Sequence, residues 1–253
     1  MSKLNGDNIY IIEDGYNTNY ISCLFLSLFL EKTNIYYYML DNINLPNESV
    51  FIQEIIKTII NDFKNYKIIN SKIMNYLRNI LFFNNFLDSK YIFVNNCIIE
   101  LYDYLYNIFH IQKIQFMNEL KIDSFNYLIF DSYNELDTSI KKLININLPN
   151  LILNNIPNFI GIKLIRNHLL TNIDVQKKIT FNSIFKENKL IWEIKSIICF
   201  DIENSNYFSF VKYKDVWLII NEKLFPPIQK INIRIHENDI KLKSIFLIYN
   251  LIQ

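Results

Sequence analysis

The chain carries three cysteines, at 23, 97 and 199, and one of them has neighbours that chemistry could use. Cys23 ends the segment Asp14-Gly-Tyr-Asn-Thr-Asn-Tyr-Ile-Ser-Cys23, where a polar loop runs into an apolar stretch. Ser22 reads as an N-cap, so the spacing predicts a helix over 23–32 with the sulfur in its first turn. Unsatisfied N–H groups and the positive end of a helix dipole at such a place lower a thiol pKa and favour the thiolate. The loop before it, with Gly15, Asn17, Thr18 and Asn19, could offer donors to an oxyanion. Without that loop the same residue is a small apolar side chain in a buried helix, the common fate of free cysteine.

Other residues narrow the chemistry. His110, His168 and His236 are too scattered to give metal-ligand spacing. Glycines stand only at 6, 15 and 161, which leaves no Gly-rich phosphate loop. The pairs Lys141-Lys142 and Lys177-Lys178 read as solvated faces. No cofactor and no metal are expected.

The elements that must position these groups follow from composition and period. Of 253 residues, 51% are apolar and 20% charged, which excludes disorder and suits a large buried core. Lys and Arg total 26 against 25 Asp and Glu, so the general charge footprint of a nucleic-acid binder is missing. Three cysteines make neither a disulfide framework nor a four-cysteine zinc site, and they fit a reducing, intracellular setting such as cytoplasm, host cytoplasm or a virion. The apolar run Tyr20–Leu30 is too short to span a bilayer and follows Glu13 and Asp14 instead of a basic region, so neither a membrane nor a targeting segment is expected. Alanine is absent, while Ile, Asn, Lys, Tyr and Phe abound. That bias indicates an AT-rich coding sequence, as in a large DNA virus or an intracellular parasite. With so little glycine, positions of positive φ are expected to fall mostly on asparagine.

From Ser22 to about Phe109 the apolar spacing is helical, with stripes over Phe51–Phe63, Ser71–Phe83 and Asn96–Phe109. Beyond it, Phe125–Phe130, Asn158–Leu164, Lys178–Phe181, Leu190–Phe200, Tyr207–Tyr213, Val216–Ile220, Lys230–His236 and Ile245–Tyr249 read as strands of an antiparallel sheet. Helices first and strands second give an α+β fold. The expected organisation is a tail over 1–7 and one domain over 8–253, with a helical lobe over about 8–113 and a β lobe over about 114–253.

Six segments, taken in order, resemble the ubiquitin-specific proteases, the papain-like deubiquitinases. The family's cysteine box, roughly GLxNxGNTCYxNS, is similar to the Gly15–Ser27 segment, with Cys23 on the cysteine and Ser22 and Ser27 in the Thr and Ser places. A competing register lays Asn17-Thr18-Asn19-Tyr20 on the box and puts Asn19 on the cysteine; the Cys23 register is preferred because it needs no shift against Gly15 and Ser27. The DAxEFLxxLL helix is similar to Cys97–Tyr106, which keeps Glu100, Leu101 and Leu105. PxxLxIxLKRF resembles Pro157–Asn167, keeping Pro157, Leu164 and Arg166. YxLxAVIxH resembles Trp192–Phe200. GHYxAYVK…WYxFDD resembles Ser205–Glu222, keeping Tyr207, Val211, Lys212 and Trp217. AYxLFY resembles Ser244–Tyr249.

The resemblance implies a papain-like cysteine protease fold, with the tail of ubiquitin or a ubiquitin-like protein as the partner of its cleft. It also implies roles. Cys23 takes the nucleophile position, Asn206 the place of the general-base histidine, Asn221 that of the residue orienting the histidine, and Thr18 that of the oxyanion-hole asparagine. An amide at 206 can neither take the thiol proton nor protonate a leaving amine, and such loss removes about 10²–10⁴ in rate. The family's Cys-x-x-Cys zinc pairs are missing. The expected function is a catalytically impaired deubiquitinase-like protein that binds ubiquitin or a ubiquitin-like protein, or scaffolds. The alternatives are an active cysteine-type ubiquitin C-terminal hydrolase using Cys23 and a purely structural component of a virion or complex.

Overall fold

Every residue from Tyr20 to Leu30 is buried, and the rest of the molecule is arranged around that fact. The computed structural model describes residues 11–13, 18–41, 43–66, 68–83, 97–118, 121–133, 135–148, 152–166, 168, 170–184 and 186–252. Helix α1 (Asn19–Phe29) is apolar on all sides, so it must be enclosed on all sides. Helices α2 (Asn34–Leu40), α3 (Asn47–Tyr66) and α5 (Cys97–Ile108) cover part of it, and α4 (Ser71–Phe83) packs on α3. A short parallel pair, β1 (Ile11–Ile12) with β2 (Ile68–Ile69), ties the first described residues to the α3–α4 connection.

The remaining cover for α1 comes from the far end of the chain. Strands β3 (Ile114–Asn118), β4 (Lys121–Phe125), β5 (Leu128–Asp131) and β6 (Asp137–Ser139) lead to α6 (Ile140–Asn147). Then follow β7 (Ile152–Leu153), β8 (Phe159–Ile165), β9 (Asn172–Asp174), β10 (Lys178–Ser183), β11 (Lys186–Asp201), β12 (Asn206–Tyr213), β13 (Val216–Ile220) and β14 (Ile228–Ile231). Helix α7 (Glu237–Lys243) and β15 (Ser244–Leu251) complete the fold. Among the described residues the main sheet has eleven strands, with the order β14-β13-β12-β11-β10-β7-β3-β4 along its main path. The sixteen-residue β11 is its spine: β10 and β12 share one edge and β15 runs along the other. β15 passes the sheet on to β8, which takes β5 in parallel.

Both faces of this sheet are covered, so β12 is buried without a break from Asn206 to Val211. Tyr207 and Val211 join α1 in one core, while Phe208 and Phe210 join a second core with residues of α6 and α7. The α+β class and the helices-then-strands order expected from the sequence are the ones observed. Several details differ. The first helix starts at Asn19, capped by Thr18, and not at Cys23. Residues Lys230–His236 alternate like a strand, but the Asn232 side chain accepts from the Arg234 N–H at 3.2 Å and turns the chain into a 3₁₀ turn. Helices α6 and α7 lie where no helix was expected, and α2 falls inside the stretch read as helical.

Among the described residues, asparagine does not fill the positions of positive φ. These are His110, Tyr133, Ser205 and Lys214. The asparagine side chains act on the backbone instead: Asn70 accepts from the Lys72 N–H and Asn155 from the Gln115 N–H.

One glycine is held by contact. A Cβ at Gly161 would lie 2.8 Å from the Phe246 ring and 3.0 Å from the Tyr102 hydroxyl. Those two rings pack edge to face at 4.8 Å in the first core, and neither has room to retreat. Gly161→Ala is therefore expected to destabilise the protein by about 1–3 kcal/mol, read as a lowered urea midpoint with unchanged slope.

Candidate functional site

The site is best built from the two ends that meet. Thr18 caps α1 through its carbonyl, which accepts from the Ile21 and Ser22 N–H groups, so Asn19 is the first helical residue. Its side chain points across to the opening of β12. There the Asn19 Nδ2 donates to Asn206 Oδ1 at 2.6 Å and to the Tyr207 carbonyl at 3.0 Å. Asn206 Nδ2 in turn donates to Asn221 Oδ1 at 3.0 Å, just past the end of β13. Asn221 Oδ1 also accepts from the Lys223 N–H at 3.0 Å.

These bonds fix every amide orientation. A backbone N–H at one end demands the oxygen of Asn221, and a backbone carbonyl at the other demands the nitrogen of Asn19. Asn206, between them, must donate on one side and accept on the other. A neutral imidazole offers that same pair, one N–H and one lone pair. The row 19–206–221 thus has the same donor direction as a nucleophile–base–orienter series, and none of its members accepts or releases a proton at neutral pH.

Cys23 is elsewhere. It sits one turn further along α1, 3% exposed, inside the first core. Burial pushes its thiol up to about 12; the Ser209 hydroxyl offsets part of this, and the Glu222 carboxylate adds to it. The helix N-terminus that was expected to lower this pKa belongs to Asn19. Of the four residues expected at the site, the structure joins Asn206 and Asn221, gives Thr18 the role of cap, and puts Asn19 where Cys23 was expected. The signal for Asn19 was present as the competing register of the cysteine box. No histidine touches the row among the described residues. His236 packs on Phe210 at 5.3 Å, on the second-core side of β12.

The chain matches solved structures over nearly its whole length. It is similar to the SAGA DUB module Ubp8/Sgf11/Sus1/Sgf73 bound to monoubiquitin, with 14% identity and a TM-score of 0.70, covering 97% of this chain and 69% of that one. The same module bound to ubiquitin aldehyde gives 13% identity, a TM-score of 0.70, and 97% and 70% coverage. A yeast SAGA DUB module carrying a substituted Sgf73 gives 14%, 0.55, and 94% and 66%. The fold is of the ubiquitin-specific-protease type. No protein-family model and no curated protein matches the sequence.

Ser205 is the residue that the sequence resemblance lays on the glycine of the GHY box. Its φ is 47°, a left-handed conformation that glycine adopts freely and serine does not. Ser205→Gly is expected to raise stability by about 1 kcal/mol, a gain of about 2–4 °C in Tm by thermal scanning. Arg166, just past β8, serves as a clamp. Its guanidinium donates to the carbonyls of Thr171, Lys241 and Ser244 and to Ser244 Oγ, joining β8 to the α7–β15 junction.

Proposed function

We propose that this chain is a ubiquitin-specific-protease-type module whose reactive positions are held by amides, and that it works by binding ubiquitin or a ubiquitin-like protein. The observation that carries the reading is the oriented row Asn19–Asn206–Asn221, which keeps the hydrogen-bond direction of a catalytic series and removes its protons. The likeness to ubiquitin-bound deubiquitinase modules supports the choice of partner. The buried, raised thiol of Cys23 argues against a peptidase that uses it. Recognition would rest on an extended tail held by backbone hydrogen bonds and on a broad contact with the globular partner.

Titration calorimetry with ubiquitin tests this reading. Binding with a Kd of about 1–100 μM is expected, weakened when the terminal glycine pair of ubiquitin is deleted. No turnover of a ubiquitin C-terminal amide is expected. No heat at about 100 μM protein would overturn the binding reading in favour of a scaffold, and hydrolysis that disappears in Cys23→Ser would overturn the assignment of the site.

A further inference from the structure

A groove of about 160 Å³ opens on the second-core side of the sheet, bounded by β11, β13, the β9–β10 connection, the 3₁₀ turn Ile233–His236 and α7. Its apolar wall is Val175, Ile194, Ile197, Trp217, Ile233 and Ile240. Ile194 and Ile197 stand three apart, so on a regular strand they would face opposite sides. The register of β11 against β15 shifts between Ile194 and Ser196, and that irregularity brings both into the second core. Ile194, Ile197 and Ile240 are buried at the floor, while Val175, Trp217 and Ile233 are half-buried at the mouth. Every segment that borders the groove is described, as are the residues before and after each of them.

The rim is charged, and only part of that charge is satisfied. Asp174, Lys177, Arg234, Glu237 and Lys241 line it. Both acids are engaged: Glu237 pairs with Lys241 at 2.6 Å, and Asp174 accepts from Gln176 Nε2 at 2.8 Å. Lys177 and Arg234 are exposed and form no ion pair among the described residues. The Trp217 indole N–H has no acceptor among them either. What remains to be met is two cations and one donor, so a complementary occupant brings acceptors and negative charge. Lys177 belongs to a lysine pair that reads as a solvated face in sequence, yet it stands at the edge of an apolar groove.

We infer that this groove takes an aromatic side chain from an acidic segment of a partner protein. The size suits one ring, since an apolar space of about 150 Å³ holds benzene. The ring lies over Ile194, Ile197 and Ile240 and packs against Trp217, an anchor in a pocket of the kind that concentrates binding energy. Lys177 and Arg234 stand on different segments of the rim, so they call for two carboxylates flanking one ring, which a peptide supplies. The amide row lies with α1 and the first core, whereas the groove belongs to the second. The inference therefore does not depend on the function proposed above.

The probe is a seven-residue peptide with blocked termini, one phenylalanine between three glutamates on each side, read by fluorescence polarisation on the full chain. Replacing its phenylalanine with alanine should weaken binding by about 10- to 100-fold, and replacing its glutamates with glutamines by about 10-fold. The double variant Lys177→Glu, Arg234→Glu, at exposed positions and checked for fold by circular dichroism, should also weaken it by about 10-fold. Tryptophan emission locates the contact. Of the two tryptophans, Trp192 is fully buried and donates to the Pro157 carbonyl, so binding should shift the emission of Trp217 alone. Trp217→Phe should remove that shift. Equal binding of the alanine peptide, binding unchanged by the double variant, an emission shift that survives in Trp217→Phe, or no binding up to about 1 mM peptide would each overturn the inference.

Discussion

Joining Asn19→Cys with Asn206→His is expected to give cysteine-dependent cleavage of a ubiquitin C-terminal fluorogenic amide, with a rate about 10²–10⁴-fold above either single variant. The reason is geometric. Asn19 opens α1, where a thiol would face free N–H groups and the positive end of the helix dipole. A histidine at 206 would inherit bonds that already suit it, accepting from residue 19 and donating to Asn221, whose oxygen is fixed by the Lys223 N–H. Neither single change completes the pair. A folded double variant no faster than the singles would show that residue 19 is not the nucleophile position.

Native Cys23 is expected to alkylate with iodoacetamide at pH 8 about 10³-fold more slowly than an unperturbed cysteine. A thiol with its pKa at about 12 holds that much less thiolate than one at 9.0. The same shift sets a pH window. The folded state holds this proton more tightly than the unfolded state, so the stability is fully present below pH 9.0 and is lost as pH rises towards about 12. The amount is about 4 kcal/mol. Tyr102, Tyr106 and Tyr249, all raised by burial, pull in the same direction. Denaturant midpoints that hold steady from pH 8 to about 11 would contradict this, as would rapid labelling of the native thiol.

Much of this molecule can be read in its sequence, and the failures have physical causes. Val216–Ile220 and Ser71–Phe83 have the expected bounds because their period is clean and their ends carry turn or cap residues. Asn206 and Asn221 were found together because the histidine box has a fixed spacing across one hairpin. The sequence puts Cys23 in the first turn of the first helix, whereas that helix begins one turn earlier, at Asn19. Spacing to Gly15 and Ser27 favoured the later start, whereas Thr18 is the residue whose carbonyl accepts the first helical N–H bonds. A competing asparagine looked chemically empty, and only its bond to Asn206, 187 residues away, gives it a place. Helix α6 was missed because it is only eight residues long, so its apolar face, Ile140, Leu143 and Ile144, spans barely one turn.

The enclosure of α1 also bears on how the protein comes to exist. The helix leaves the ribosome well before the strands that complete its cover, β11 and β12, are made. The bond from Asn19 to Asn206 spans 187 residues, which at about 5–20 residues per second takes roughly 10–40 s to synthesise. Through that interval the greasiest segment of the chain has no native partner from the sheet. Transiently exposed apolar surface of this kind is what makes unfinished chains prone to aggregate.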